Sequence, residues 1–168
     1  MYVLVWICMT TREVISSSST GHPNSAWVVD QTERFLSETE GRAKSPELII
    51  HDRDTKFSKA FTQALENRGV RTNPLPVASP NLNGRCERII ETIKLECLAK
   101  FVIFGKRHLD YLVEEFVDYY NNHRSHMKRD HLPPIREIPE EVEKLSFDQV
   151  EVKSYVGGLV KSFEQKAA

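Results

Sequence analysis

Apolar residues recur along this chain with two different periods. Tyr2 to Met9 (YVLVWICM) is a β-branched and aromatic run, and after Thr10-Thr11-Arg12 a shorter apolar stretch follows from Glu13 to Ser16. The pair predicts a two-stranded hairpin. Beyond the polar loop Ser16 to Pro23 the period changes. Trp27, Val28, Phe35 and Leu36 recur at helical spacing behind an N-cap at Asn24 or Ser25, which predicts an amphipathic helix to about Glu40.

Gly41 to Pro46 breaks that helix, and Glu47 to His51 (ELIIH) predicts a short buried strand ending on the acidic cluster Asp52-Arg53-Asp54. Phe57, Phe61 and Leu65 are spaced by four, predicting a helix over 58–67 that Gly69 closes. Val70 to Asn73 reads as a further short strand. A loop rich in turn formers, Pro74 to Gly84, then opens into a long helix whose Cys86, Ile89, Ile90, Ile93 and Cys97 form one apolar stripe. A second amphipathic helix is predicted from Arg107 to Asn121, and from Leu132 the chain is Pro-punctuated and then acidic. Strands and helices alternate, so the expected class is a mixed α/β domain with helices packed on a sheet.

Composition sharpens this picture. A length of 168 residues with 40% hydrophobic and 28% charged positions fits one soluble domain and excludes disordered, collagen-like and coiled-coil classes. The formal net charge of −1 is unlike the basicity usual among nucleic-acid binders. Its placement is uneven: His51 to Asp110 holds 11 basic and 7 acidic side chains, and the remainder 12 and 17. The positive field is therefore concentrated in the middle third. Three cysteines (Cys8, Cys86, Cys97) without metal-ligand spacing argue against a disulfide framework and for a reducing cytoplasm. Tyr2 to Met9 is too short to span a bilayer and lacks the features of a signal peptide.

Two carboxylates stand out by placement. Asp52 sits where a strand meets a loop, and Glu87 is in the fourth position after Asn83, at the start of a helix. With Cys86 at the centre of the apolar stripe, Glu87 lies about 100° round the helix, on the rim between core and solvent. From there it can reach the end of a neighbouring strand. Converging carboxylates repel one another unless a cation neutralises them, which makes the pair a candidate Mg²⁺ or Mn²⁺ site. Two-metal sites of this kind serve phosphodiester displacement. The same residue types also fit plainer roles, a turn aspartate and a solvated helix glutamate.

Three spaced segments, His51 to Phe57 (HDRDTKF), Ser79 to Leu98 (SPNLNGRCERIIETIKLECL) and Tyr119 to His126 (YYNNHRSH), resemble the integrase core of bacterial insertion-sequence transposases and the related retroviral integrases. In that family the second catalytic Asp stands in a DRG or DRD segment after a strand, and the catalytic Glu in an N-x-x-x-E helix start. Here 34 residues separate Asp52 from Glu87, which fits, and the downstream Y-N-x-x-R-x-H element is met at Tyr120, Asn121, Arg124 and His126. A fainter likeness runs from Tyr2 to about Val160, with Gly157 to Ser162 (GGLVKS) similar to a tail found in one transposase subgroup.

The resemblance implies a ribonuclease H-like mixed sheet flanked by helices. It divides the chain into an integrase-like core, 1–131, and a C-terminal tail, 132–168. It further implies Asp52 and Glu87 as catalytic residues and ligands for Mg or Mn, and Arg85, Arg88, Lys94, Arg124 and His126 as DNA-binding residues. The implied partners are DNA, as transposon ends and target, and further copies of the chain. The implied reaction is metal-dependent phosphodiester hydrolysis and strand transfer. The family's first strand and first catalytic Asp are expected ahead of Tyr2, as is its helix-turn-helix region. Asp30, on a helix, is no substitute, and Cys8, where relatives commonly carry Asp, is not that position. Glu91 replaces a Lys or Gly common in relatives, while Lys94 keeps a basic group nearby. Catalysis by this chain is accordingly expected to be impaired. The alternative is a truncated or domesticated remnant acting as a DNA-binding or self-association module, and a weaker third reading is a hydrolytic nuclease of the same fold.

Other residues receive plainer expectations. Asp54 is read as a turn residue paired with Arg53 or Lys56. Lys100, Lys106 and Arg107 extend the basic cluster. His123, His126 and His131 lie in a polar loop without cysteine partners, a poor zinc site. Cys86, Cys97, Trp6 and Trp27 are read as core residues.

Overall fold

A short antiparallel hairpin, β1 (Val5–Ile7) and β2 (Val14–Ser16), begins the element order. The structure, a computed structural model, describes residues 1–41, 45–76, 83–129, 131–136 and 145–166. Only the centre of the run Tyr2 to Met9 forms a regular strand. The Leu4 amide donates to Ser17 Oγ at 2.9 Å instead of to a ladder carbonyl, which separates β1 from the isolated bridge between Tyr2 and Thr20. The chain divides into two compact units, residues 1–6 with 15–90, and residues 7–14 with 91–168.

In the first unit, α1 (Ser25–Thr39) is capped by Asn24, whose side chain accepts from the Trp27 amide at 2.8 Å. Its apolar stripe joins Val28, Phe35 and Leu36 to Phe61 and Leu65 of α2 (Lys59–Asn67) and to Val70. Trp6 and Trp27 pack half-buried against this cluster, Trp6 stacking on Phe35 at 4.8 Å. Gly69, at φ +72, supplies the left-handed residue that closes α2. The strand β3 (Leu48–His51) then pairs in parallel with β4 (Arg71–Pro74), Leu48 opposite Arg71 and His51 opposite Pro74.

The expectation that β3 is buried needs correcting. Leu48 and Ile50 are 44% and 47% exposed, and it is Ile49, on the opposite face, that packs on the core. The run Leu48-Ile49-Ile50 has the continuous apolar pattern of a strand covered on both faces, but among the described residues only the Ile49 face packs on the core, so burial alternates along it. The expected mixed α/β class holds, its strands short and paired in three two-stranded sheets among the described residues.

Helix α3 (Gly84–Thr92) runs on through a π-helical turn (Ile93–Cys97) and a 3-10 turn (Leu98–Lys100). Ile89, Ile93 and Cys97 of the expected stripe are buried, and Cys86 and Ile90 half-buried. In the second unit, α4 (Lys106–Asn122) buries Leu109, Leu112, Val113, Phe116, Val117, Tyr120 and Asn121. A hairpin of β5 (Val150–Tyr155) and β6 (Val160–Gln165) completes this unit, Val150 opposite Gln165 and Tyr155 opposite Val160. Its turn places Val156, fully buried, at φ +53. No helix among the described residues is long and apolar enough to cross a membrane.

Candidate active site

Parallel pairing brings the end of β3 to the end of β4, and the loop after β3 is then tied down residue by residue. The Leu75 amide donates to the His51 carbonyl at 2.8 Å, and Arg53 Nε donates to the Leu75 carbonyl, also at 2.8 Å. The His51 ring lies 4.7 Å from Phe57 and 5.1 Å from Phe61, and its Nδ1 sits 2.6 Å from the Asp52 carbonyl. A carbonyl only accepts, so Nδ1 carries the hydrogen. Asp52 Oδ1 accepts from the Asp54 amide at 2.9 Å, an Asx turn that fixes the carboxylate at the strand end.

Asp54 fills the plainer of its expected roles. Both its oxygens accept from Lys56 Nζ, at 3.0 and 2.8 Å, and Oδ1 also accepts the Lys56 amide. That pairing holds the Asp54 carboxyl below, and the Lys56 ammonium above, its usual range.

Glu87 lies in the first turn of α3, where the helix dipole favours a carboxylate, and its amide donates to the Asn83 carbonyl at 3.0 Å. Residues 77–82 of the preceding loop lie outside the described residues. Cys86, next to Glu87 in the chain, is half-buried, its Sγ 3.9 Å from the Val5 carbonyl. Burial pushes this thiol up, and the negative charges of Asp52 and then Glu87 push it further. One sulfur thus feels both carboxylates, and both carboxylates are exposed to solvent.

The donor set fits a divalent ion in part. Mg²⁺ commonly takes one or two protein carboxylates and leaves its other positions to water and substrate phosphate. Asp52 and Glu87 match that description. Among the described residues no group of three or more His, Cys, Asp or Glu side chains is placed to hold a metal, so no third acid joins the pair.

Arg85 and Arg88 flank Glu87 on α3 and are exposed, as is Lys94 on the π-helical turn. Arg124 is differently placed within the second unit. Its Nε and Nη2 donate to the two Glu96 oxygens at 3.1 and 2.8 Å, and its guanidinium lies 5.6 Å from the centre of the Tyr120 ring. The His126 ring packs edge-on against Tyr120 at 4.7 Å, with Nε2 buried and without a partner among the described residues. Lys106 pairs with Asp110 at 2.8 Å. Nothing local in the sequence points to Glu96 as the partner of Arg124, and nothing there reads the role of Asn121. A polar residue on the apolar stripe of α4 is nevertheless a signal of a specific buried bond, and Asn121 is buried there.

Comparison with protein families matches residues 68–134 to the family described as Integrase core domain. That stretch holds Glu87, Arg85, Arg88, Lys94, Arg124 and His126; Asp52 precedes it. No curated protein matches. Among solved structures the chain is similar to one in the cryoEM structure of a simian T-cell lymphotropic virus intasome in complex with PP2A regulatory subunit B56 gamma. The TM-score is 0.59 at 16% identity, over 89% of this chain and 55% of that one. The chain therefore spans about half the length of the intasome chain it matches. Resemblance to the integrase core is shown over residues 68–134, and the fold is the integrase, ribonuclease H-like α/β fold.

Proposed function

We propose that this chain is a transposase- or integrase-type core that binds DNA and, with its catalytic set complete, serves divalent-metal-dependent phosphodiester hydrolysis and strand transfer. Supporting this reading are Glu87 in the first turn of α3, inside the stretch that matches an integrase core, and Asp52 held by an Asx turn at the end of β3 in the same unit. Integrase core domains are generally dependent on divalent metals, and a bound ion supplies charge neutralisation and Lewis acidity at a phosphodiester. Asp52 and Glu87 would hold it. Arg85 and Arg88 would position the DNA backbone beside them, each phosphate contact steepening the salt dependence of duplex binding by roughly 0.9 in the log–log slope. Lys94, Arg124 and His126 are proposed as further DNA-proximal positions, Arg124 acting through its fork with Glu96.

The absence of a third acid beside the pair among the described residues favours a second reading, a non-catalytic DNA-binding or self-associating module. Titration calorimetry with Mn²⁺ separates the two. Binding by the 168-residue chain that disappears in Asp52→Asn and Glu87→Gln supports a retained metal site; no binding supports the module. On the first reading Glu87→Gln should abolish strand transfer on DNA carrying the element's ends, and turnover unchanged in that variant would overturn the role proposed for Glu87.

A further inference from the structure

Strand alternation sorts the side chains of the β5–β6 hairpin into two chemically different faces. Glu151, Lys153 and Tyr155 on β5, and Ser162 and Glu164 on β6, share one face. They bind one another and α4: Lys153 Nζ lies 2.5 Å from Glu164 and 3.6 Å from Glu151, and Glu164 and Tyr155 both reach His123. The other face carries Val150, Val152 and Ser154 opposite Gln165, Phe163 and Lys161. It holds no acid. Phe163 is 72% exposed beside the exposed Val152, and Lys161 is exposed with no partner among the described residues. At the open end of the hairpin, where the Lys166 amide donates to the Gln149 carbonyl, Phe147 is 99% exposed.

A solvated aromatic on a sheet face, two residues from an uncompensated cation and with both acids of the hairpin, Glu151 and Glu164, on the opposite face, has the chemistry of a platform for unpaired bases. A base stacks on the ring while the ammonium meets a phosphate, and stacking tolerates any base because each has a π-face. The acids' placement matters, because a carboxylate on this face would repel the backbone. We propose that the outer face of the β5–β6 hairpin binds single-stranded nucleic acid, with Phe163 as the stacking residue and Lys161 as the phosphate contact. This rests on the reading of the chain as a nucleic-acid-binding protein but uses residues other than Asp52, Glu87, Arg85 and Arg88.

The test is fluorescence anisotropy of the full 168-residue chain with a fluorescein-labelled oligothymidylate, beside a duplex of the same length. Phe163→Ala should weaken the single strand by about 5- to 100-fold, with Phe163→Tyr restoring most of it. Lys161→Ala should reduce the single-strand salt slope by roughly 0.7. Duplex binding should be insensitive to Phe163→Ala and sensitive to Arg85→Ala with Arg88→Ala. No oligothymidylate binding, or binding unchanged by Phe163→Ala, overturns the platform while leaving the duplex result to judge the wider reading. A sedimentation mass that falls in Phe163→Ala while oligothymidylate affinity holds also overturns it and assigns the face to contact between copies.

Discussion

Asn121 shows what a single side chain can fix. Its Oδ1 accepts from the Val14 amide at 2.9 Å and its Nδ2 donates to the Val14 carbonyl at 2.7 Å, both bonds buried and 107 residues apart in sequence. One amide side chain thereby satisfies both polar groups of a buried strand residue. Asn121→Ala orphans the two together, and since each buried orphan costs about 1–3 kcal/mol, urea unfolding should show a loss of about 2–4 kcal/mol. A loss well under 1 kcal/mol would mean that Val14 finds water or another partner. The letter Asn121 was visible in the Y-N-x-x-R-x-H element, but its partner was not, because nothing local in sequence points from residue 121 to residue 14. Cys86 offers a second test at this scale. Since burial, Asp52 and Glu87 all push its thiol up, Asp52→Asn or Glu87→Gln should move the pH profile of its alkylation to lower pH. Cys97, pushed up to about 11 by burial, stays silent near neutral pH, and a Cys8→Ser background removes the remaining thiol. A profile unmoved by either change would show that the two acids do not converge.

The packing of the β5–β6 hairpin on α4 carries its own pH dependence. His123 Nδ1 donates to Glu164 Oε1 at 3.1 Å, which leaves Nε2 to accept from the Tyr155 hydroxyl at 2.7 Å. Burial pushes His123 below the ordinary histidine range; Glu164 and Asp118 pull it up, and Arg136 and Lys153 push it down. A folded pKa below the unfolded one means that the neutral ring is the stabilising form. Its contribution is full above the unfolded value of about 6.5 and is lost as pH falls through the folded value. The urea midpoint should therefore drop between about pH 7 and about pH 5, and less so in His123→Gln. His126, lowered first by burial and then by Arg124, acts in the same direction, so the variant should retain part of the slope. Glu164, held low chiefly by Lys153, adds a separate loss only as pH falls through its own depressed value. An identical slope in both proteins would place the titration elsewhere. Helices were the legible elements: α1, α2 and α4 fall within a residue or two of the spans read from apolar period and caps. The hairpin went unread because VEVKSY alternates over only its first four positions and VKSFEQ spaces its two apolar residues by three, so neither carries a sustained period of two.

At the scale of the whole chain, both units are discontinuous in sequence, but the second takes in everything from residue 91 to 168, whereas every residue of the apolar cluster in the first lies before residue 91. That asymmetry bears on the proposed boundary between a core, 1–131, and a tail, 132–168. Ending the chain at residue 131 removes Val156, fully buried, and the Tyr155 ring that lies 4.8 Å from His123 and 5.8 Å from Tyr119. Burying a valine is worth about 1.5–3 kcal/mol and each aromatic contact about 0.5–1.5 kcal/mol more, so the loss approaches the lower end of the 5–15 kcal/mol by which domains are stable. The first unit loses none of its cluster. The chain's 2 tryptophans, Trp6 and Trp27, both pack on that cluster, so their emission reports the first unit alone. In a chain ended at residue 131, the tryptophan unfolding midpoint should stay close to that of the full chain, while amides of α4 exchange markedly faster. If both observables hold, the tail is dispensable to the fold and the boundary is structural as well as functional. If both collapse together, the two units unfold as one cooperative body, and neither can be studied without residues 132–168.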